Sequence, residues 1–187
     1  HWGLLREGRL RKDLVSEILS SRRQIEGVWV PGPEHMLVIL LVHPAFAKHL
    51  AGWDMGLHRV MDLLIFLRTQ DVDANPMLRL LQDNGVSAAA WSTLRWTQLL
   101  AQPHAPNSLR TLLAELEPPT WKRTWLDGWL RQDLSDRLSA WRWMRFLGFS
   151  WLLHDTIGDA LRAFRGQRRA ARRSGEDLAV FAGLLGE

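Results

Sequence analysis

The chain has 187 residues, with 24 basic and 20 acidic side chains, no cysteine, no tyrosine and 11 tryptophans. That length fits one domain with a buried core. The missing cysteines exclude disulfides, thiolate catalysis and thiolate zinc sites, as expected of a reducing cytoplasm. Uncharged apolar runs fall short of the roughly 18 residues a membrane span requires, and the first residues lack the apolar stretch of a signal peptide, so a membrane partner is not expected.

The positive charge is local. Lys12, Lys48 and Lys122 are the only lysines, and six arginines fall between Arg162 and Arg173. Without those six the chain carries 18 basic against 20 acidic groups. The basicity therefore describes one stripe and not a field over the whole surface. The tryptophans are expected to fill the core and the seams between helices, because indole offers a large apolar area with one N–H to satisfy.

In chain order, an apolar His1-Trp2-Gly3-Leu4-Leu5 is followed by a short amphipathic helix, with Leu10, Leu14, Ile18 and Leu19 on one side and Arg11, Lys12, Glu17 and Arg22 opposite. Val28-Trp29-Val30, ended by Pro31-Gly32, is the one good strand candidate beyond the N-terminus. Pro33 then suits the first position of a helix, and Glu34 suits the positive end of its dipole. From His35 to Val42 the run is apolar nearly all round, so this helix is expected to be central. Pro44 predicts a kink or break after His43.

Asp54 is placed to cap a helix reaching about Gln70, with Leu57, Val60, Met61, Leu64, Ile65 and Leu67 as its apolar face. Together the stretch from Pro33 to Gln70 forms an oily helix pair joined at Gly52, into which His35, His43, His49, His58, Lys48, Arg59 and Asp62 are set. Polar groups in such surroundings must be partnered or functional, since an unpaired buried one costs about 1 to 3 kcal/mol.

Asn75-Pro76 predicts the start of the next helix and Asn84-Gly85 its end. Ser87 is expected to cap a helix through Leu100, stopped by Pro103. Short helices follow over about Ser108 to Glu117 and Trp121 to Arg131, with Pro118-Pro119 between them. A longer helical region runs from about Leu134 with a bend near Gly148, then about Ile157 to Arg173 and Glu176 to Leu185. The expectation is an all-α fold, a multi-helix array of short helices with at most one or two short strands near the N-terminus. It reads as one domain over 1–187: 1–32 as sheet edge plus short helix, 33–131 as core helices, and 134–187 as C-terminal helices carrying the basic stripe.

Several chemistries are open. His58 and Asp62 lie one helical turn apart and permit a hydrogen bond or shared metal ligation, but the spacings to His43 and His49 fit no zinc signature, so no metal site is expected. Asp71-Val72-Asp73 is a literal Asp-x-Asp, yet it sits between helices without a phosphate-cradling turn, so helix capping is expected of it. Arg162, Arg165, Arg168, Arg169, Arg172 and Arg173 recur every three or four residues and could track phosphates of RNA or meet an acidic protein, against the plainer reading of a solvated helix face. Phe164 is the only aromatic among them, which gives strand stacking little support. No serine-nucleophile motif is present.

Taken together, His1-Trp2-Gly3-Leu4-Leu5, Val30-Pro31-Gly32-Pro33-Glu34-His35-Met36-Leu37, Leu40-Leu41-Val42-His43, then Lys48, Trp53 and Arg59-Val60-Met61-Asp62-Leu63 resemble a nucleotidyltransferase family of the polymerase-β-like superfamily. In that family a segment of the type Asp-Leu-His-Trp closes the catalytic sheet. A Leu-rich helix ending in His and a second helix ending in Asp-Leu follow it. The likeness covers roughly His1 to Pro119, with Asn84-Gly85-Val86 resembling the family's later part.

The resemblance implies an NTP-dependent enzyme using Mg²⁺, whose Gly-Ser turn and metal-binding Asp-x-Asp would precede His1. This chain is then expected to be the helical, substrate-side half, inactive alone. By the same resemblance His1, His43, Lys48, Trp53, Arg59 and Asp62 would line the cleft. Lys48 or Arg59 would meet triphosphate oxygens, Asp62 would orient His43 or Arg59, and Trp53 would wall the cleft.

Overall fold

A computed structural model describes residues 5, 8–46, 57–70, 72–132 and 148–174. Lys48, Trp53, Asp54, Asp71 and His1 fall outside those residues, as do the expected helices over 134–147 and 176–185. The described part is all-α apart from one hairpin. Its elements are α1 (Val15–Ser20), β1 (Arg23–Ile25), β2 (Val28–Val30), α2 (Pro33–Phe46), α3 (Leu57–Thr69), α4 (Ala74–Asn84), α5 (Ser87–Ala101), α6 (Asn107–Glu115), α7 (Thr120–Leu130), α8 (148–152) and α9 (Ile157–Ser174).

The core is centred on α2 and α5. On α2, Leu37, Val38, Leu41, Val42 and Ala45 are buried, as its apolar circumference requires. It packs against α3, α4 and α5, while α5 also packs against α6 and α7. Along α5 every residue from Ala88 to Leu94 is buried, so this helix too is enclosed. Pro44 does not break α2, which runs two residues beyond it. The proline is itself buried, and Thr93 Oγ1 on α5 donates a 2.6 Å bond to the Leu41 carbonyl, holding the turn that the ring disturbs.

Other expectations are corrected. Leu10 to Leu14 is not helical, and α1 is a single short turn-and-a-half from Val15. Leu14 still enters the core, so its apolar character reports burial and not helix. Val28–Val30 is a strand, but it pairs antiparallel with β1, in register Arg23↔Val30, Gln24↔Trp29 and Ile25↔Val28. Glu26 and Gly27 between them both have positive φ, 49° and 84°, as a type I′ hairpin turn demands. On α3 the buried positions are Val60, Leu63 and Leu64, whereas Met61 and Ile65 are exposed. Tryptophan also departs from the core expectation: Trp91, Trp96 and Trp129 are buried, but Trp29, Trp121, Trp125 and Trp151 are exposed.

Helix ends explain much of the chain path. Asp73 caps α4 by accepting from the Asn75 N–H at 2.9 Å, so the cap precedes the expected Asn75 and one carboxylate of the Asp-x-Asp is a capping group. Gly85 ends α4 at φ +68°, with Gly85 N donating to the Gln82 carbonyl and Val86 N to that of Leu81. Ser87 does not cap α5. Asp155 does so from 68 residues away, its carboxylate accepting from Ser87 N at 3.1 Å and Ala88 N at 2.8 Å.

Candidate functional site

Two places gather polar chemistry, and they differ in kind. The first is the groove between the hairpin, α2 and α3. It has a volume of about 350 Å³ and is walled mainly by Ile25, Val30, Met36, Leu40, Ile65 and Phe66, with Asp62 at its edge. The hairpin beside it is open to solvent and exposes Ile25, Val28 and Trp29, Trp29 being 57 % exposed with the Arg22 guanidinium 4.9 Å from its ring centre.

Arg59 and Asp62 sit on the outer side of α3, one turn apart, with Arg59 Nη1 3.7 Å from Asp62 Oδ2. Asp62 thus pairs with Arg59, the second of its two expected partners. The Arg59 Nε–H is shielded from solvent and has no hydrogen-bond acceptor among the described residues. His43 is half-buried near the end of α2, and His58 is exposed on α3. Among the described residues no three His, Asp or Glu side chains gather as a metal site, and His49 lies outside those residues.

The second place is a polar junction where the N-terminal segment, the Gly85 turn, the 153–156 link and the start of α9 meet. Thr156 and Asp159 open α9 as a capping pair. Thr156 Oγ1 accepts from Asp159 N at 3.2 Å and donates to Asp159 Oδ2 at 2.6 Å. Asp159 is 1 % exposed and receives Arg11 through both carboxylate oxygens, Nε to Oδ1 at 2.8 Å and Nη2 to Oδ2 at 2.7 Å. Arg162 adds a bond to Oδ1 at 2.9 Å. These donors, Arg11 foremost, hold the Asp159 carboxyl far below the usual carboxylate range.

Lys122 on α7 is 6 % exposed and donates to the carbonyls of His154 at 2.8 Å and Asp155 at 3.0 Å. Its burial lowers the pKa of the ammonium, with Asp155 opposing. His154 is 4 % exposed, its ring 5.0 Å from that of Phe46, and Nδ1 has no hydrogen-bond partner among the described residues. Burial first, then the positive charges of Arg9, Arg162 and Lys122, push its pKa down to about 4, so the ring is neutral at pH 7. A cavity of about 220 Å³ lies alongside, bordered by Gln82, Ser87, Glu115, Glu117, Lys122 and Asp155.

The buried charges of the junction are met from within the chain, Lys122 by two backbone carbonyls and Asp159 by Arg11 and Arg162. The junction therefore acts as a clasp, fixing the non-helical 153–156 link to α5, α7 and the N-terminal segment. None of Arg11, Lys122, His154, Asp155 or Asp159 stands out in the sequence as a site residue. The one local signal is Thr156-Ile157-Gly158-Asp159, a capping-box pattern before a helical run.

The expected basic stripe exists as a face. Arg165, Arg168, Arg169 and Arg172 are exposed on α9, and none of them forms an ion pair among the described residues. Arg162 differs, since it is held by Asp159. Arg59 and Asp62 stand on α3 and this stripe on α9. Comparison with protein-family models, curated proteins and solved structures finds no match for the chain.

Proposed function

We propose that the chain is the helical, substrate-side part of a nucleotidyltransferase-like protein, one that transfers a nucleoside monophosphate from an NTP to an acceptor. The observation that carries the reading is the groove between the hairpin, α2 and α3. It lies on the two helices whose residues bear the family resemblance, it is flanked by a hairpin whose Ile25, Val28 and Trp29 are left open to solvent, and Asp62, paired with Arg59, stands at its side. A short open sheet next to a polar-rimmed groove suits a face that a catalytic sheet covers.

Arg59 would bind and orient triphosphate oxygens through its forked donors, and Asp62 would hold the guanidinium in place. An exposed pair such as this contributes only about 0 to 1 kcal/mol to folding, so stability does not explain it. Mg²⁺ would neutralise charge on the phosphates, but the described residues do not form its site; in this reading its carboxylates precede His1.

The test is nucleotide binding by the protein expressed together with the residues encoded before His1. Binding of Mg²⁺-NTP, weakened about tenfold by Arg59→Ala with an unchanged circular dichroism spectrum, is the expected result, since one charge-assisted bond is worth about 1.5 kcal/mol. Unaltered binding in the variant, or an upstream sequence without a Gly-Ser turn and Asp-x-Asp, contradicts the proposal.

A further inference from the structure

The solvent face of α9 divides into two halves. Ile157, Leu161 and Phe164 are exposed in its first turns, and Arg165, Arg168, Arg169 and Arg172 follow. The opposite side is committed to the protein: Asp159, Ala160 and Ala163 are buried, and Gly8 of the N-terminal segment lies so close that a Cβ there would come within 2.7 Å of the Arg162 carbonyl. The helix is thus a rigid mount for its outer face.

The four arginines fall within a sector of about 100° and span about 10 Å along the axis, at 100° and 1.5 Å per residue. A track of that length meets two or three successive phosphates of an extended strand. The stripe is all arginine, whose planar fork takes two phosphate oxygens at once and is less strongly hydrated than an ammonium. At its N-terminal end Arg168 lies 5.7 Å from the ring centre of the half-exposed Phe164. That pair offers one cationic, flat surface on which a single unpaired base can stack.

We infer that α9 binds a single strand of RNA, with Arg165, Arg168, Arg169 and Arg172 on the phosphates and one base on Phe164. A lipid surface fits less well, because the exposed Ile157, Leu161 and Phe164 precede the arginines on the same side of α9 instead of forming an apolar face beside them. An acidic protein would use the charge but leave the ring without a stacking partner. RNA is the favoured strand because its recognition is concentrated in unpaired loops and ends, where bases are free to stack. The inference rests on α9 alone and stands apart from the transferase reading.

Fluorescence anisotropy with a labelled 12-nucleotide RNA at several salt concentrations tests it, beside a DNA single strand, a polyglutamate peptide and phosphatidylserine vesicles. The expected result is RNA binding that weakens with salt by about 0.7 in the logarithm for each phosphate met. Arg168→Ala with Arg169→Ala should make that slope shallower by about 1.4, at unchanged circular dichroism. Phe164→Ala should weaken binding about tenfold and leave the slope alone. Absence of RNA binding at low salt, tighter binding of DNA, polyglutamate or vesicles, or a Phe164→Ala variant of unchanged affinity would overturn the inference.

Discussion

At the scale of single residues, the structure turns on two buried groups whose charge states are fixed by opposite means. Asp159 is kept ionised by Arg11, Arg162 and Thr156, while His154 is kept neutral by burial among cations. Replacing Asp159 by Asn leaves Arg11 and Arg162 short of their counter-charge; since Arg11 is one-third exposed, we expect a loss of about 2 kcal/mol, less than for a fully buried pair, read as a lower urea midpoint. His154 gives a pH dependence of known sign. Its pKa falls from 6.5 to about 4 on folding, so between those values the unfolded chain holds more protons. Stability is then complete above about pH 6.5 and declines as pH falls toward 4, by at most about 3 kcal/mol. His154→Gln should flatten urea midpoints over that window. Asp159 acts lower, its contribution present above about pH 3.9 and lost as the pH drops toward its depressed folded value. A midpoint that holds constant from pH 6.5 to 4 in the unmodified protein would contradict the placement of His154.

At the scale of elements, the junction shows why helix ends were only half legible. Asn84-Gly85 marks the end of α4 because a left-handed residue must close it, and glycine is the residue that takes that conformation freely. What the sequence does not carry is the space above Gly85. A Cβ there would lie 2.7 Å from Asp159 Oδ2 and 2.9 Å from Arg11 Nε, groups that are 148 residues apart in the chain. Gly85→Ala should therefore cost more than the ~1 kcal/mol of a left-handed alanine alone, because it also forces the Arg11–Asp159 pair open. Equal losses from Gly85→Ala in the parent and in an Asp159→Ala background, where the atoms in the way are gone, would show that the clash is not felt. The same limit explains Ser87: its type and position suit a cap, but Asp155 arrives from distant sequence with a stronger acceptor. By contrast Asp73, capping from two residues away, was within reach of local reasoning; Asp73→Ala should cost about 1 kcal/mol in thermal unfolding.

At the scale of the whole molecule, the all-α architecture is legible because apolar spacing and breakers act locally. Pro33, Gly85, Pro103 and Pro118-Pro119 delimit helices whose cores, α2 and α5, are apolar on nearly every side. The candidate site is less so. The oily setting of α3 makes Arg59 and Asp62 conspicuous in the sequence, and in the structure the two form a partly exposed pair. Among the buried polar groups, Lys122, His154 and Asp159 lie where three distant stretches meet and no single stretch announces them, whereas His35, buried on α2 with Ser21 Oγ 2.9 Å from its Nδ1, belongs to the oily stretch itself. The exposed hairpin, the groove beside it and the arginine face are surfaces left over once that core is made, which is where function must be sought. The groove bears the central claim. Its most direct test is release of pyrophosphate from Mg²⁺-NTP, the nucleoside monophosphate passing to an acceptor supplied as a small-molecule cell extract, by the protein that includes the residues encoded before His1. Release that depends on the upstream Asp-x-Asp and falls about tenfold in kcat/KM with Arg59→Ala is expected; release that is absent with all four nucleotides, or indifferent to Arg59, would contradict it.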